Sequence, residues 1–288
     1  MIKADKERLY SDVLFLTGIS PYRNCKNIDS LGRAAGYISN EFEKAGLKVE
    51  EQTWTVKGSI YRNIIASYNP DKFKRLIIGA HYDVAGDQPG ADDNASGIAG
   101  LLEAARMTAA SDPDPDYGID FVAYCLEEPP HFGGEMMGSF VHARSLFEKM
   151  TPVTGMICFD MIGYFSDRPG SQRFPSEVPK GIYPDKGNFI TIVGLDKYSS
   201  FNRKVYELMC HNSGIGVELL SVRAPEGFAA LSDHRNFWSH GYKAVMITDG
   251  AEYRNGNYHK KSDTIDTLDF DRMAEVVNST FNAIVRLD

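Results

Sequence analysis

Residues 75–83, RLIIGAHYD, are the stretch that decides the fold of this 288-residue chain. The first six residues form a short, apolar and β-branched run, which is typical of a strand buried inside a sheet. The run leads directly into a histidine at position 81 and an aspartate at position 83. Similar apolar runs recur along the chain, and amphipathic, helix-like segments separate them. Strands separated by helices predict a sheet covered by helices on both faces, an α/β/α arrangement.

This alternation extends over nearly the whole chain. We predict helices over residues 3–16, 30–45, 96–109, 139–149, 201–210, 235–239 and 268–287. We predict strands over residues 48–56, 62–68, 75–80, 119–126, 153–162, 189–193, 216–220 and 242–247. The sequence contains no internal repeat and no Pro/Gly-rich linker, so we expect one domain spanning residues 1–288.

The composition narrows the possible functions. With 43% hydrophobic and 24% charged residues, the chain has the make-up of a globular protein. It carries 39 acidic against 31 basic side chains, a net charge of −8, and has no basic stripe, so we expect no nucleic-acid partner. No apolar run approaches the roughly 20 residues of a membrane span, so we expect no membrane partner. The charged N-terminus lacks a signal-peptide pattern, which favours the cytoplasm, or secretion if a leader has been trimmed away.

The four cysteines are far apart and form no CxxC pair; they are Cys25, Cys125, Cys158 and Cys210. This spacing indicates neither a disulfide framework nor a thiolate zinc site. Cys125 and Cys158 fall inside apolar runs, where reduced cysteines are commonly buried. The pattern suits a reducing compartment.

Acids and histidines follow the apolar strands. In an open α/β sheet, ligands bind beyond the carboxyl ends of the strands. The residues at these ends are His81 and Asp83, Glu127 and Glu128, Asp160, Asp249 and, ten residues further on, His259. This succession indicates a metal site assembled from loop ends.

The first two of these residues are separated by one position. Alternate residues of an extended chain share a face, so His81 and Asp83 can point the same way. A metal-ligating histidine usually donates its second ring N–H to a carboxylate, and Asp83 is placed for that role or for orienting the loop. The alternative is a hydrogen-bonded histidine in the protein core.

Two further acidic pairs could likewise belong either to a site or to ordinary structure. The turn at residues 90–97, GADDNASG, precedes a helix, so Asp92 and Asn94 could be helix N-caps rather than part of a site, while Asp93 is a candidate ligand. Glu127 and Glu128 precede a proline, which favours extended geometry at Glu128. The two carboxylates then point in different directions, one toward a metal and the other toward a water. The alternative is a solvated acidic turn.

Asp160 ends an apolar strand, and a buried carboxylate needs a partner. A metal cation is such a partner. The candidates for metal binding are then two histidines and three carboxylates, with one carboxylate left over. Nitrogen and oxygen ligands without thiolates favour zinc, cobalt or manganese. Five ligands exceed one tetrahedral zinc and suit two ions, roughly 3.5–4 Å apart, bridged by a carboxylate.

Taken together, the motifs resemble peptidase family M28, zinc metallopeptidases that include bacterial aminopeptidases. They are GAHYD (79–83), PGADDNASG (89–97), EE with a later MGS (127–128 and 137–139), FDMIG (159–163) and YHKKSDTIDTLD (258–269). The resemblance implies a three-layer α/β/α sandwich around a central mixed, largely parallel sheet. It also implies a ligand set in which His81 and Asp160 hold one zinc, Glu128 and His259 hold the other, and Asp93 bridges them through a cis peptide to the next residue.

The resemblance implies three further roles. Asp83 would orient His81, Glu127 would be the general base, and Tyr258 would stabilise the oxyanion. Where the family usually reads EE-x-G-L-x-G-S, this chain has the longer EEPPHFGGEMMGS at 127–139, which we expect to reshape the pocket beside the base. The proline-rich loop at 166–187 is long for a compact domain, which favours a functional role.

The activity implied is that of a dizinc aminopeptidase that hydrolyses the N-terminal bond of a peptide or a small amide, with Co²⁺ or Mn²⁺ as possible substitutes for zinc. One alternative is a glutaminyl cyclase, an acyltransferase of the same fold with one zinc and a tryptophan-lined pocket; this chain has only Trp54 and Trp238. Another is a carboxypeptidase in which Arg254 binds the substrate carboxylate. A binding module that has lost its ligands is disfavoured because no candidate ligand is missing.

Overall fold

A computed structural model describes residues 2–178, 181–211 and 213–287 of the chain. Eight strands form one mixed sheet in the order β1-β2-β4-β3-β5-β8-β6-β7. Parallel pairing joins β3 to β4 and β5, β5 to β8, and β6 to β7, while the other neighbours are antiparallel. The strands are β1 Lys48–Val56, β2 Ser59–Tyr68, β3 Arg75–His81, β4 Gly118–Tyr124, β5 Val153–Phe159, β6 Phe189–Leu195, β7 Gly216–Val222 and β8 Ala244–Thr248.

Helices cover both faces of this sheet. They are α1 Lys6–Thr17, α2 Ile28–Lys44, α3 Gly97–Ser111, α4 Gly138–Glu148, α5 Ser199–Cys210, α6 His234–Ser239 and α7 Phe270–Arg286. Side chains alternate along each strand, so Ile78 packs with α1, α2, α3, α5 and α7 on one face, whereas Ile77 packs with α4 and α6 on the other. The structure confirms the predicted α/β/α sandwich with a mixed sheet.

Each predicted helix and strand is present, with small shifts of its ends. The largest shifts are at strand ends: the strand predicted to run to residue 162 ends at Phe159 because Asp160 and the residues after it turn into the site. Cys125 and Cys158 are buried as expected, and all four cysteines are free. In the described part of the chain, no helix combines the length and apolar character needed to cross a bilayer.

The central strands β3, β4, β5 and β8 run in one direction, so their carboxyl ends share one edge of the sheet. Every residue of β3 and β4 is buried. The fold therefore provides a rigid frame from which several loops converge, as ligand sites in open α/β sheets require.

Candidate metal centre

The residues predicted for the site converge at this edge. His81 ends β3, Glu127 and Glu128 follow β4, Asp160 follows β5, and the loop after β8 carries the second histidine. With Asp93, Tyr258 and His259, these residues line one pocket. Asp83 is fully buried and lies against the same loops.

Among the described residues, three groups of possible ligand atoms overlap in the site: two share Asp93, and the third consists of His81, Glu127 and Glu128. His81, Asp93 and Asp160 present ligand atoms within 4.8 Å of one another, and so do Asp93, Glu128 and His259. The Nε2 atom of His81 lies 3.4 Å from Oδ1 of Asp93, whereas Nε2 of His259 lies 3.0 Å from Oδ2. Asp93 thus presents one carboxylate oxygen to each side, which is the arrangement a bridging ligand needs.

The site concentrates negative charge in a buried space. Asp93, Glu127, Glu128 and Asp160 are all at most 8% exposed. Within the described chain, the ion pairs of these four carboxylates go only to the two histidines. Burying a charge without a partner costs free energy, so these four carboxylates need more positive charge than the two histidines supply.

The pKa values reflect this concentration of charge. Burial and the neighbouring carboxylates raise the pKa of Glu127 well above its usual range, and burial with the charge of Asp93 raises the pKa of Glu128 to about 8. Burial alone would lower the pKa of His259, but hydrogen bonds to Asp93 and Glu128 outweigh it and raise that pKa to about 10. The pKa of His81 is likewise raised, by Glu127, Asp160 and Asp93 against the effect of burial.

The donor set fits divalent cations. It offers imidazole nitrogens and carboxylate oxygens and no thiolate, which suits zinc and its chemical neighbours. One buried carboxylate oxygen, Oε1 of Glu127, has no hydrogen-bond partner. A buried polar atom without a partner commonly marks a functional group or the position of a bound ion. The residues present therefore fit the metal group that the motifs imply.

The turn that carries Asp93 is fixed from several sides. The peptide from Asp93 to Asn94 is cis, as the resemblance implied. The side chain of Asn94 donates to the carbonyl of Phe159 at 3.0 Å and accepts from the amides of Gly97 at 3.0 Å and Met161 at 3.2 Å. Asn94 therefore both caps the start of α3 and ties the turn to the loop that carries Asp160.

Asp92 has a different role from the N-cap considered for it. Its carboxylate accepts from the amide of Gly163 at 2.9 Å and from the side chain of Asn255 at 2.7 Å. It also shares a hydrogen bond with Asp249, and burial together with the charge of Asp249 raises the pKa of Asp92 well above its usual range. These contacts join three loops beneath the candidate ligands.

Asp83 contacts the loop that carries Glu127 and Glu128 more directly than it contacts His81. Its two carboxylate oxygens accept from the amides of Glu127 and Glu128, each at 3.1 Å. The nearest carboxylate oxygen is 3.8 Å from Nδ1 of His81, whereas the backbone carbonyl of Asp83 lies 3.2 Å from that nitrogen. Asp83 thus positions His81 through its main chain and the two glutamates through its side chain.

Two supporting residues have no counterpart among the sequence predictions. Asp263 accepts from the amides of Asp92 and Asp93, at 2.9 and 3.1 Å. Arg23 is completely buried, and its guanidinium donates to four backbone carbonyls, among them Tyr82 and Gly90. Asp263 lies within the motif at 258–269, so its position offered a signal, but nothing near Arg23 in the sequence marks it.

Tyr258 lies over the ligand cluster. Its ring stacks on that of His259, with 3.9 Å between ring centroids and a 20° angle between planes. Burial and four carboxylates of the site raise the pKa of its hydroxyl far above the usual value, so the hydroxyl keeps its proton at neutral pH. It is therefore a hydrogen-bond donor beside the candidate metal ligands.

The pocket above the cluster encloses about 750 Å³ including its open mouth, and many of its lining residues are apolar. The apolar lining comprises Met161, Phe174, Pro175, Val193, Leu220, Phe228, Leu231 and Met246. The 166–187 loop contributes the segment 172–175 to the pocket lining, and its functional role stays a prediction. By contrast, no residue of the insertion at 129–137 is among the lining residues. The insertion instead packs away from the pocket. There the ring of Phe132 contacts the guanidinium of Arg235, and the carbonyl of Met136 accepts a hydrogen bond from the indole of Trp54.

Arg254 and two histidines outside the ligand groups have structural surroundings. Arg254 is buried beside the rings of Phe165 and Phe189, and its Nε donates to Gln172 at 2.6 Å. It therefore braces the 166–187 loop rather than facing the pocket. Burial lowers the pKa values of His142 and His234 to about 4, and His234 contacts the carbonyl of Ala229 at 2.8 Å.

A buried cluster of nitrogen and oxygen ligands at the carboxyl ends of parallel strands defines a metallohydrolase type of site. The chain belongs to peptidase family M28, whose family model matches residues 63–284. Members of this family are generally zinc-dependent. The recognition made from the sequence motifs is thereby confirmed at the level of the family.

Two relatives illustrate the range of similarity. The chain is 42% identical over 292 residues to YfbL, an uncharacterized protein of Escherichia coli (strain K12), covering 98% of this chain and 88% of YfbL. It is 27% identical over 249 residues to leucine aminopeptidase 1 of Pyrenophora teres f. teres (strain 0-1), covering 82% of this chain and 57% of that protein. The chain thus spans little more than half the length of the fungal relative.

Solved structures share the fold. A leucine aminopeptidase precursor from Bacteroides thetaiotaomicron VPI-5482 is 21% identical with a TM-score of 0.76, covering 99% of this chain and 98% of that one. A glutaminyl cyclase of Bacteroides thetaiotaomicron bound to N-acetylhistamine is 20% identical with a TM-score of 0.75, covering 99% of each chain. At these identities the likeness is one of fold, and it includes both peptidases and cyclases.

Proposed function

We propose that the protein is a dizinc aminopeptidase that removes the N-terminal residue of peptides. The observation that carries the proposal is that Asp93 shares a candidate ligand group with each histidine, with one carboxylate oxygen toward each. His81 and Asp160 would hold one ion, and Glu128 and His259 the other. Such a pair of ions supplies a nucleophilic water at neutral pH and polarises the scissile carbonyl.

Three residues of the site would contribute to the reaction beside the metal ions. Glu127 has a buried oxygen without a hydrogen-bond partner and belongs to neither of the ligand groups that contain Asp93, so we assign it to take a proton from the attacking water and to give one to the leaving amine. Tyr258 keeps its proton and can donate to the oxyanion that develops on the substrate. Asp83 fixes the backbone that carries Glu127.

The pocket favours an apolar residue at the N-terminus of the substrate. The apolar lining residues Val193, Leu220 and Met246 would bury an apolar side chain, which is stabilising by roughly 1.5–3 kcal/mol for a residue of leucine size. The acidic cluster would attract the substrate's ammonium group. Leucine aminopeptidases among the relatives agree with this preference.

A glutaminyl cyclase is the second candidate because proteins of that activity share the fold. Neither Trp54 nor Trp238 is among the residues that line the pocket, and the indole of Trp238 is buried against the carbonyl of Ala244. The carboxypeptidase alternative loses its proposed anchor because Arg254 is buried beneath the loop and is not among the residues that line the pocket. Both observations favour the aminopeptidase.

The test uses the zinc-loaded protein, the tetrapeptide Leu-Ala-Ala-Ala and its N-acetylated form, with products identified by mass spectrometry. We expect free leucine from the first peptide and no cleavage of the second. Release of the C-terminal alanine would indicate a carboxypeptidase. A peptide with N-terminal glutamine serves as the third substrate, and loss of ammonia from it without hydrolysis would indicate a cyclase.

A further inference from the structure

Arg173, on the 166–187 loop, lies at the rim of the pocket. Among the described residues that line the pocket, it is the only arginine or lysine. The other charged lining residues, apart from the two histidines, are five acids: Asp93, Glu127, Glu128, Asp160 and Glu252. A positive side chain in this otherwise acidic pocket is therefore a specific feature of the rim.

The backbone around Arg173 is held in place. Its amide donates to the carbonyl of Tyr253 at 2.9 Å, and its carbonyl accepts from the side chain of Gln172 at 2.8 Å. Gln172 is buried and in turn accepts from Arg254. The loop also closes on itself, because the amide of Gln172 donates to the carbonyl of Asp185 at 2.9 Å. These bonds fix the starting point of the Arg173 side chain at the rim.

The guanidinium retains unused donors. Its Nη2 donates to the carbonyl of Glu252 at 2.7 Å, and this is its only recorded bond to the described chain. No carboxylate of the described residues lies within ion-pairing distance of it. A guanidinium has five N–H donors in a planar fork that matches a carboxylate. The side chain is exposed, so a substrate group can reach it.

The positive charge of Arg173 indicates which group of the substrate it binds. A peptide's C-terminal carboxylate is bound best by a guanidinium with free donors, and Arg173 is the one lysine or arginine among the described residues that line the pocket. We propose that Arg173 binds the C-terminal carboxylate of the substrate, which makes short peptides, above all dipeptides, the preferred substrate class. This inference rests on the proposed aminopeptidase function and specifies its substrate.

Chain geometry gives the length preference. In a dipeptide, the carboxylate lies one residue beyond the scissile bond. Each additional residue moves it outward by up to about 3.3–3.6 Å, past a side chain that is anchored at the rim. The preference therefore falls as the peptide lengthens.

The test compares Leu-Gly with Leu-Gly-amide, which differ at the C-terminal group, on the zinc-loaded enzyme. We expect kcat/KM for the acid to exceed that for the amide by tenfold or more, mainly through KM. In Arg173→Gln this ratio should fall to near one, and Arg173→Lys should retain part of it. Arg168→Gln is the matched control, because Arg168 is an exposed arginine of the same loop outside the pocket lining; its ratio should equal that of the wild type. An equal loss for both substrates in Arg173→Gln would assign Arg173 a structural role and overturn the proposal.

Two further measurements separate this proposal from the proposed function. Leucine p-nitroanilide has no carboxylate, so its zinc-dependent hydrolysis reports aminopeptidase activity alone. Calorimetric binding of Leu-Gly and Leu-Gly-amide to Glu127→Gln needs no turnover. A tenfold preference for the acid that disappears in Glu127→Gln/Arg173→Gln supports carboxylate recognition even if no substrate is cleaved. Equal binding of the two ligands to Glu127→Gln contradicts it even if the anilide is cleaved.

Discussion

Replacement of Asp83 by asparagine tests whether its hydrogen bonds position the loop that carries Glu127 and Glu128. In the structure each carboxylate oxygen of Asp83 accepts one backbone amide, from Glu127 and from Glu128, at 3.1 Å. Asparagine offers one oxygen, so one bond is lost and an N–H group faces another N–H group. A hydrogen bond to a charged group contributes about 1.5–3 kcal/mol, and an unsatisfied buried donor adds to its loss. We expect Asp83→Asn to destabilise the protein by roughly 2–4 kcal/mol.

At roughly 2–4 °C per kcal/mol for a large domain, this corresponds to a fall in Tm of about 4–16 °C, measured by calorimetry on the metal-free protein. Because Glu127 is then less well placed, kcat/KM for leucine p-nitroanilide should fall by roughly tenfold to a hundredfold. Asp87→Asn is the matched control, since Asp87 is exposed and its ion pair with Lys261 is 3.6 Å long; it should change stability by less than about 0.5 kcal/mol. An unchanged Tm for Asp83→Asn, combined with weaker zinc binding, would refute the reasoning and show that Asp83 acts only through His81.

Two other predictions concern the metal ligands and the base. Glu127→Gln should keep its zinc content and lose roughly a hundredfold or more in kcat, whereas Glu128→Gln should lose zinc on dialysis; exchanged phenotypes would reverse the two assignments. The raised pKa values of His81 and His259, the latter to about 10, mean that both rings carry a proton in the metal-free protein at pH 7. Zinc binding must displace these protons and also the proton on Glu128, whose pKa of about 8 leaves it largely protonated at pH 7. Apparent affinity should therefore rise roughly tenfold or more per pH unit for each ion between pH 6 and 8, and calorimetry in buffers of different ionisation enthalpy should detect about two to three protons released. Affinity independent of pH over this range would show that the rings are already neutral.

The sequence was most informative where local pattern determines structure. The buried run before His81 and the acids after the neighbouring strand could be placed because strands of one parallel sheet end at a common edge. Asn94 illustrates why the alternatives stayed open, since the same side chain caps α3 and ties the turn to the loop of Asp160.

Residues that act through contacts distant in sequence were not predictable. Arg23 reaches carbonyls more than 60 positions away, and no local pattern indicates such partners. Arg173 gains its significance from Glu252 and Tyr253, which are about 80 positions further along the chain. The insertion at 129–137 was expected beside the substrate because it follows the base in sequence, but it packs outward against Trp54 and Arg235. Adjacency in sequence did not determine the direction in which that loop leaves the site.

The metal content of the protein tests the central claim most directly. After reconstitution with excess zinc and removal of unbound ions, elemental analysis should find about two zinc ions per chain. His259→Ala should retain about one, because His81 and Asp160 would still hold the other ion with Asp93. A wild-type protein that binds at most one ion under the same conditions would contradict a two-metal site bridged by Asp93.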